Sequence, residues 1–184
     1  MPATISGLNN IVPSSVTAAS TTPTINSTTG TVTFSSATSP ISILGVFSAT
    51  YDNYLINIDG YQGGSYPMFR LRTASTIDST NYWWHTQWIY GATSTYSNSG
   101  TTASTTGIQV GYGASQMDMR QIHIASPFLA ERTVLYYEGM NPYSNATIMH
   151  GVGHHNVASS FTGFTLDFPT VSFSGYITVY GFTK

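Results

Sequence analysis

Three histidines, His150, His154 and His155, form an H-x-x-x-H-H group. On a helix, the first two would share a face and could hold a zinc ion between them. Their surroundings read Met149-His-Gly-Val-Gly-His-His-Asn156, and two glycines within three residues do not build a helix. No carboxylate stands close by in the sequence to complete a ligand set. They are read as turn or interface histidines, and neither a metal nor a cofactor is expected. At a symmetric interface, their protonation near about pH 6 would make them a switch.

Acid–base hydrolysis of a glycosidic bond needs two carboxyl groups a few ångströms apart. The chain has seven acidic residues, and Asp52, Asp59, Asp118, Glu131 and Asp167 fall at strand edges or turn-like positions. Asp78 and Glu138 look no different. Serine is abundant, with 24 copies, but the G-x-S-x-G elbow of a serine hydrolase is missing, as are the P-loop and the dinucleotide fingerprint. With no cysteine there is no thiolate, no disulfide and no Cys-based zinc site. The chain is expected not to be an enzyme.

A denser signal lies at Tyr82-Trp83-Trp84-His85 through Trp88, Tyr90 and Tyr96. All three tryptophans fall here, within an uncharged stretch of 39 residues from Ser79 to Met117. In a strand, Trp84 and Trp88 point one way and Trp83 the other, so one ring face lies outside the core. Two readings stay open. The rings pack a core or subunit interface, or they stack on sugar rings while nearby Asn, Gln and His side chains bond the hydroxyls. Trp83, Trp84, Trp88 and Tyr96 are the candidate ligand-binding residues.

The composition explains what must hold these residues. Charged side chains make up 7% of the 184 residues, against about 25% in an ordinary soluble domain. Their place is taken by 28 Thr, 24 Ser, 13 Tyr, 9 Phe and 3 Trp. Thr and aromatic rings suit a pleated, half-buried surface, and Ser and Thr are poor inside helices. The formal net charge of −2 offers no footprint for nucleic acid or for an anionic membrane. No run approaches the roughly 18 apolar residues that span a bilayer, and no basic, then apolar, export signal opens the chain. A surface so poor in charge is either covered by neighbouring subunits or made of neutral hydroxyls and amides.

Residues 1–30 read as an extended N-terminal arm, interrupted by Pro13 and Pro23 and free of charge. The arm is expected to dock on a neighbour or on a larger assembly. A disordered tail is the alternative, although such tails are commonly charged. Residues 31–184 read as one β-sandwich domain. Strands are expected near 31–35, 41–47, 53–59, 67–73, 82–90, 106–112, 119–125, 132–138, 146–150, 161–168 and 175–182. Tyr54, Ile56 and Ile58 share one face; Phe164, Leu166 and Phe168 oppose Thr165 and Asp167. No sustained 3.6-residue stripe argues for a helix. The expected class is therefore all-β, an antiparallel sandwich of jelly-roll type. Arg70 and Arg72 share a face of their strand; they are read either as a cross-strand contact to Asp59, if the two strands are neighbours, or as separate solvated charges. In the last strand Tyr176, Thr178 and Tyr180 alternate with Ile177 and Val179, so both faces carry bulk. The tyrosine face is read as a candidate oligomer interface, or as a surface covered by the chain's own loops.

Several of these strands have a familiar look. Ile41-Ser-Ile-Leu-Gly-Val-Phe-Ser-Ala-Thr-Tyr-Asp-Asn-Tyr-Leu-Ile-Asn-Ile58 resembles an opening found in small tailed-phage structural proteins and in C-terminal domains of phage tail fibres. So do Ile122-His-Ile-Ala-Ser-Pro-Phe128, Thr162-Gly-Phe-Thr-Leu166 and the ending from Ser174 to Lys184. The likeness covers roughly residues 40–184. It implies a trimeric β-sandwich on a virion, with no catalytic residues to transfer. Two roles fit: a homotrimeric tail-fibre protein in host attachment, touching surface glycan, and a capsid decoration (cement) protein tying the shell together. Either would meet other virion proteins through the arm. The aromatic 82–96 region favours the first, and the short neutral arm without a coiled-coil shaft favours the second. A carbohydrate-active enzyme is the third and weakest reading.

Overall fold

A computed structural model describes residues 7–62, 66–91, 93, 95–101, 103–111, 116–141, 147–168 and 172–182. Every regular element among them is a strand: β1 (Leu8–Ile11), β2 (Ser15–Thr17), β3 (Thr24–Ile25), β4 (Val32–Thr38), β5 (Ile41–Leu44), β6 (Asn53–Gln62), β7 (Met68–Arg72), β8 (Tyr82–Tyr90), β9 (Thr95–Gly100), β10 (Ile108–Gln109), β11 (Gln116–Ala125), β12 (Glu131–Asn141), β13 (Thr147–Ser159), β14 (Gly163–Asp167) and β15 (Ser172–Phe182). All pairings are antiparallel. The large sheet has ten strands in the order β3-β4-β15-β6-β11-β12-β13-β8-β9, with β1 also on β15; the small sheet runs β10-β7-β14-β5-β2.

The alternation read from the sequence builds the sandwich. In β6, Tyr54, Ile56 and Ile58 are buried while Asn53 and Asp59 are exposed. Register then lines up Val179, Ile56, Ile122 and Tyr137 across four strands of the large sheet. Facing them from the small sheet are Ile41 and Ile43 of β5, Phe69 and Leu71 of β7, and Phe164 and Leu166 of β14. Phe69 stacks on Phe164 at 5.3 Å, and Phe168 on Phe173 at the same separation. Each such buried side chain contributes about 1.5–3 kcal/mol relative to its exposed state.

Successive strands β4 to β7 alternate between the sheets, and so do β10, β11, β14 and β15. The result is β4-β15-β6-β11 in one sheet and β5-β14-β7-β10 in the other. Two antiparallel pairs interrupt this alternation, β8–β9 and β12–β13, and both extend the large sheet. These insertions carry all three tryptophans and the histidine group.

The structure departs from the sequence reading in three places. The histidine segment is no turn but the middle of a 13-residue strand, β13. Its glycines face inward, where Tyr137 fills the space a side chain at Gly151 would need and Ile108 does the same at Gly153. Arg70 does not meet Asp59, because β7 and β6 lie in different sheets; it pairs with Asp167 at 3.1 Å. Strand β9 was not expected. The described part of the 1–30 segment is extended, and its three short strands lie along the chain's own β15, β5 and β4. Residues 1–6 of that segment, residue 112, residue 146 and the side chain of Asp118 lie outside what is described.

Candidate functional site

The small sheet covers one face of the large sheet. Among the described residues, nothing covers the other face from β15 across to β8. Cross-strand register sets its side chains in lines. One line holds Tyr180, Leu55, His123, Tyr136, Val152 and His85; the next holds Thr178, Asn57, Gln121, Glu138, His150 and Gln87. A third runs from Tyr176 through Asp59, Met119, Met140, Ile148 and Ile89 to Tyr96. A fourth runs from Phe182 through Asn53, Ala125, Val134 and His154 to Trp83.

The two sets of residues singled out from the sequence therefore share a surface. Tyr176, Thr178 and Tyr180 begin three of the lines, while Ile177 and Val179 between them are buried. Thr178 is half-buried, its hydroxyl 3.2 Å from that of Thr31. Trp83 and Tyr96 end two lines on the far side. Tyr96 is 73% exposed. Trp83 is half-buried and stacks on the His154 ring, 5.4 Å between centroids and 7° from parallel. Trp88 and Trp84 point the other way. Trp88 is 5% exposed, and Trp84 packs against the core. The strand alternation thus divides the four candidate rings evenly between surface and interior.

Three shallow hollows mark the open face, of about 540, 440 and 530 Å³. The first lies between His123, Val134, Tyr136 and Phe182, the second between Asp59, Met119, Glu138 and His150, and the third between Trp83, His85, Val152 and His154. At the centre, the Tyr136 hydroxyl donates to Glu138 Oε2 at 3.1 Å and sits 3.4 Å from His150 Nδ1. Partial burial and then the Glu138 carboxylate raise the Tyr136 phenol above its ordinary value. The carboxylate thereby favours the protonated phenol that donates to it.

Four of the five histidines, His85, His123, His150 and His154, stand on this face. The fifth, His155, is fully buried. Its Nε2 lies 3.2 Å from Asp78 Oδ2, its Nδ1 3.2 Å from the Val157 carbonyl, and its ring packs on Tyr82 and Phe161. The H-x-x-x-H-H group is thus split by strand alternation, with His150 and His154 outward and His155 inward. His155 meets the Asp78 carboxylate, and His150 stands across from Glu138 on the neighbouring strand, carboxylates that the sequence did not place beside them. Among the described residues, no three His, Asp or Glu side chains converge as metal ligands.

Sequence reasoning missed Met119, Val134, Met140, Ile148 and Val152, all exposed on this face. The signal was present. Val134-Leu-Tyr-Tyr137 and Ile148-Met149 put apolar bulk on both faces of a strand, as β8 and β15 do. No protein-family model matches the chain, and no curated protein matches it.

Proposed function

We propose that this chain is a non-enzymatic structural protein of a tailed-phage virion, displayed as a homotrimer on a tail fibre and acting in host adhesion. The observation that carries the reading is the open face of the large sheet. It is broad, nearly uncharged and rich in exposed apolar and aromatic side chains, which suits lasting contact with other surfaces better than it suits a free monomer. The strand order β4-β15-β6-β11 over β5-β14-β7-β10 supports reading the sandwich as a jelly roll, an architecture that recurs in viral capsid and lectin domains. That is an analogy of fold; placement on a virion rests on the resemblance across residues 40–184.

Contact with host glycan falls to Tyr96 on β9, beyond the six strands from β15 to β8, since Trp84 and Trp88 face inward and Trp83 is stacked on His154. Tyr96 offers an open ring for stacking, with the exposed Asn98 two residues along the same strand to bond hydroxyls. A capsid decoration protein is the second reading, favoured because the described part of the 1–30 segment lies along its own sandwich and builds no shaft. Labelling the protein on intact particles separates the two. A few labels at the tail tip support adhesion, a label over the whole shell supports decoration, and absence from the particle overturns both.

A further inference from the structure

We propose that the open face of the large sheet, which includes Val134 and Val152, is the surface on which copies of this chain meet. The proposal rests on the reading above that the chain works as an oligomer, and assigns the contact to one face of it.

Scattered apolar residues are normal on any protein, but contiguous ones are not. Here register gathers them into two strips, Met119-Met140-Ile148 on one side and Tyr136-Val152 with Val134 on the other, parted by the polar line through Glu138 and His150. Val134 and Val152 are 51% and 54% exposed, in strands paired on both sides, where a lone domain would place polar residues. The size fits as well. Six strands spaced about 4.8 Å apart and four lines of side chains about 7 Å apart make a face on the order of 800 Å², the usual share of one partner in a stable interface.

Charge selects the occupant. The four lines contain two carboxylates, Asp59 and Glu138, and no Lys or Arg. A nucleic acid or other polyanion finds no cation there, and a strongly basic partner finds little to hold it. The remaining polar groups are Asn53, Asn57, Gln87, Gln121, histidines and tyrosines, each able to both donate and accept. Such a face can hydrogen-bond to its own copy, which a face of lysines or of carboxylates cannot. A second copy of this chain is therefore the occupant, whether two faces meet directly or three turn toward a common axis.

The test is molar mass by light scattering across concentration, with circular dichroism and the thermal midpoint as folding readouts. The full chain is compared with Val134→Lys/Val152→Lys and with Ser75→Lys, an exposed turn position beside the small sheet. The expected result is an oligomer for the parent and for Ser75→Lys, and a folded monomer for the double variant, with association at least about 100-fold weaker. A double variant that keeps the parent's mass overturns the assignment of this face and leaves the oligomer reading standing. A monomeric parent at micromolar concentration overturns both. If the lysine pair does not fold, the near-isosteric Val134→Thr/Val152→Thr pair is expected to weaken association about tenfold, and unchanged association in that pair overturns the proposal equally.

Discussion

Gly151 stands directly across from Tyr137 on the neighbouring strand, and the tyrosine ring occupies the space that any side chain at Gly151 would need. The glycine is there for room within the packed inner layer. Gly151→Ala should therefore lower stability by about 1–3 kcal/mol through overpacking, measured by urea unfolding. Tyr137→Leu in the same chain should recover part of that loss, giving a coupling energy of opposite sign. Additive effects would mean that the two residues do not share the space.

The same tyrosine hydrogen-bonds to Thr86 through its hydroxyl, in the interior. Burial pushes its phenol from 10.0 up to about 12, and burial likewise raises Tyr82 and Tyr54. Because the folded-state value is raised, the stabilisation is fully present below about pH 10 and is lost as pH climbs toward about 12. Two pKa units correspond to roughly 3 kcal/mol for Tyr137. Urea midpoints measured from neutral to strongly alkaline pH should fall over that window, with tyrosinate absorbance rising in step. A flat profile there would contradict the burial of these phenols.

Asp78 holds its turn by accepting from the Thr80 backbone and hydroxyl, at 3.0 and 3.3 Å, while its other oxygen faces the buried His155. Asp78→Ala should cost about 1–3 kcal/mol by removing the carboxylate that stands 3.2 Å from the buried His155 Nε2. Thermal midpoints of Asp78→Ala and of His155→Phe/Asp78→Ala decide it. The double variant is expected to be the more stable of the two, because it carries no orphaned nitrogen.

Much of the sandwich could be read in advance because inward and outward residues alternate cleanly where one face is core. Tyr54-Leu-Ile-Asn-Ile58 is such a case. Phe164 and Leu166 are buried as the pattern requires, but Thr165 between them is buried too, its hydroxyl 3.0 Å from that of Ser42. Strand β9, Thr-Tyr-Ser-Asn-Ser-Gly, could not be read this way. It is an edge strand with no buried residue among its six, so no apolar period marks it. The histidine segment misled for a different reason. Glycines usually signal turns, but Gly151 and Gly153 answer to Tyr137 and Ile108, which the chain brings from other strands. The division of the tryptophans between two faces was legible from spacing. Which face was open was not, because that depends on where the small sheet lies.

That division makes a prediction of its own. Trp88→Ala should cost about 3–5 kcal/mol as a buried large-to-small change. Tyr96→Ala should stay within about 0.5 kcal/mol of the parent while reducing attachment to host cells about tenfold. Thermal midpoints and cell-binding assays on the two variants test the pair. Normal attachment by Tyr96→Ala would remove the glycan reading.

A chain that leaves one broad, nearly uncharged sheet face open should hide it against its own copies. Light scattering on the full chain at micromolar concentration addresses this most directly. Three times the 19.8 kDa chain mass is the predicted result; a single chain mass, unchanged on concentration, would contradict it.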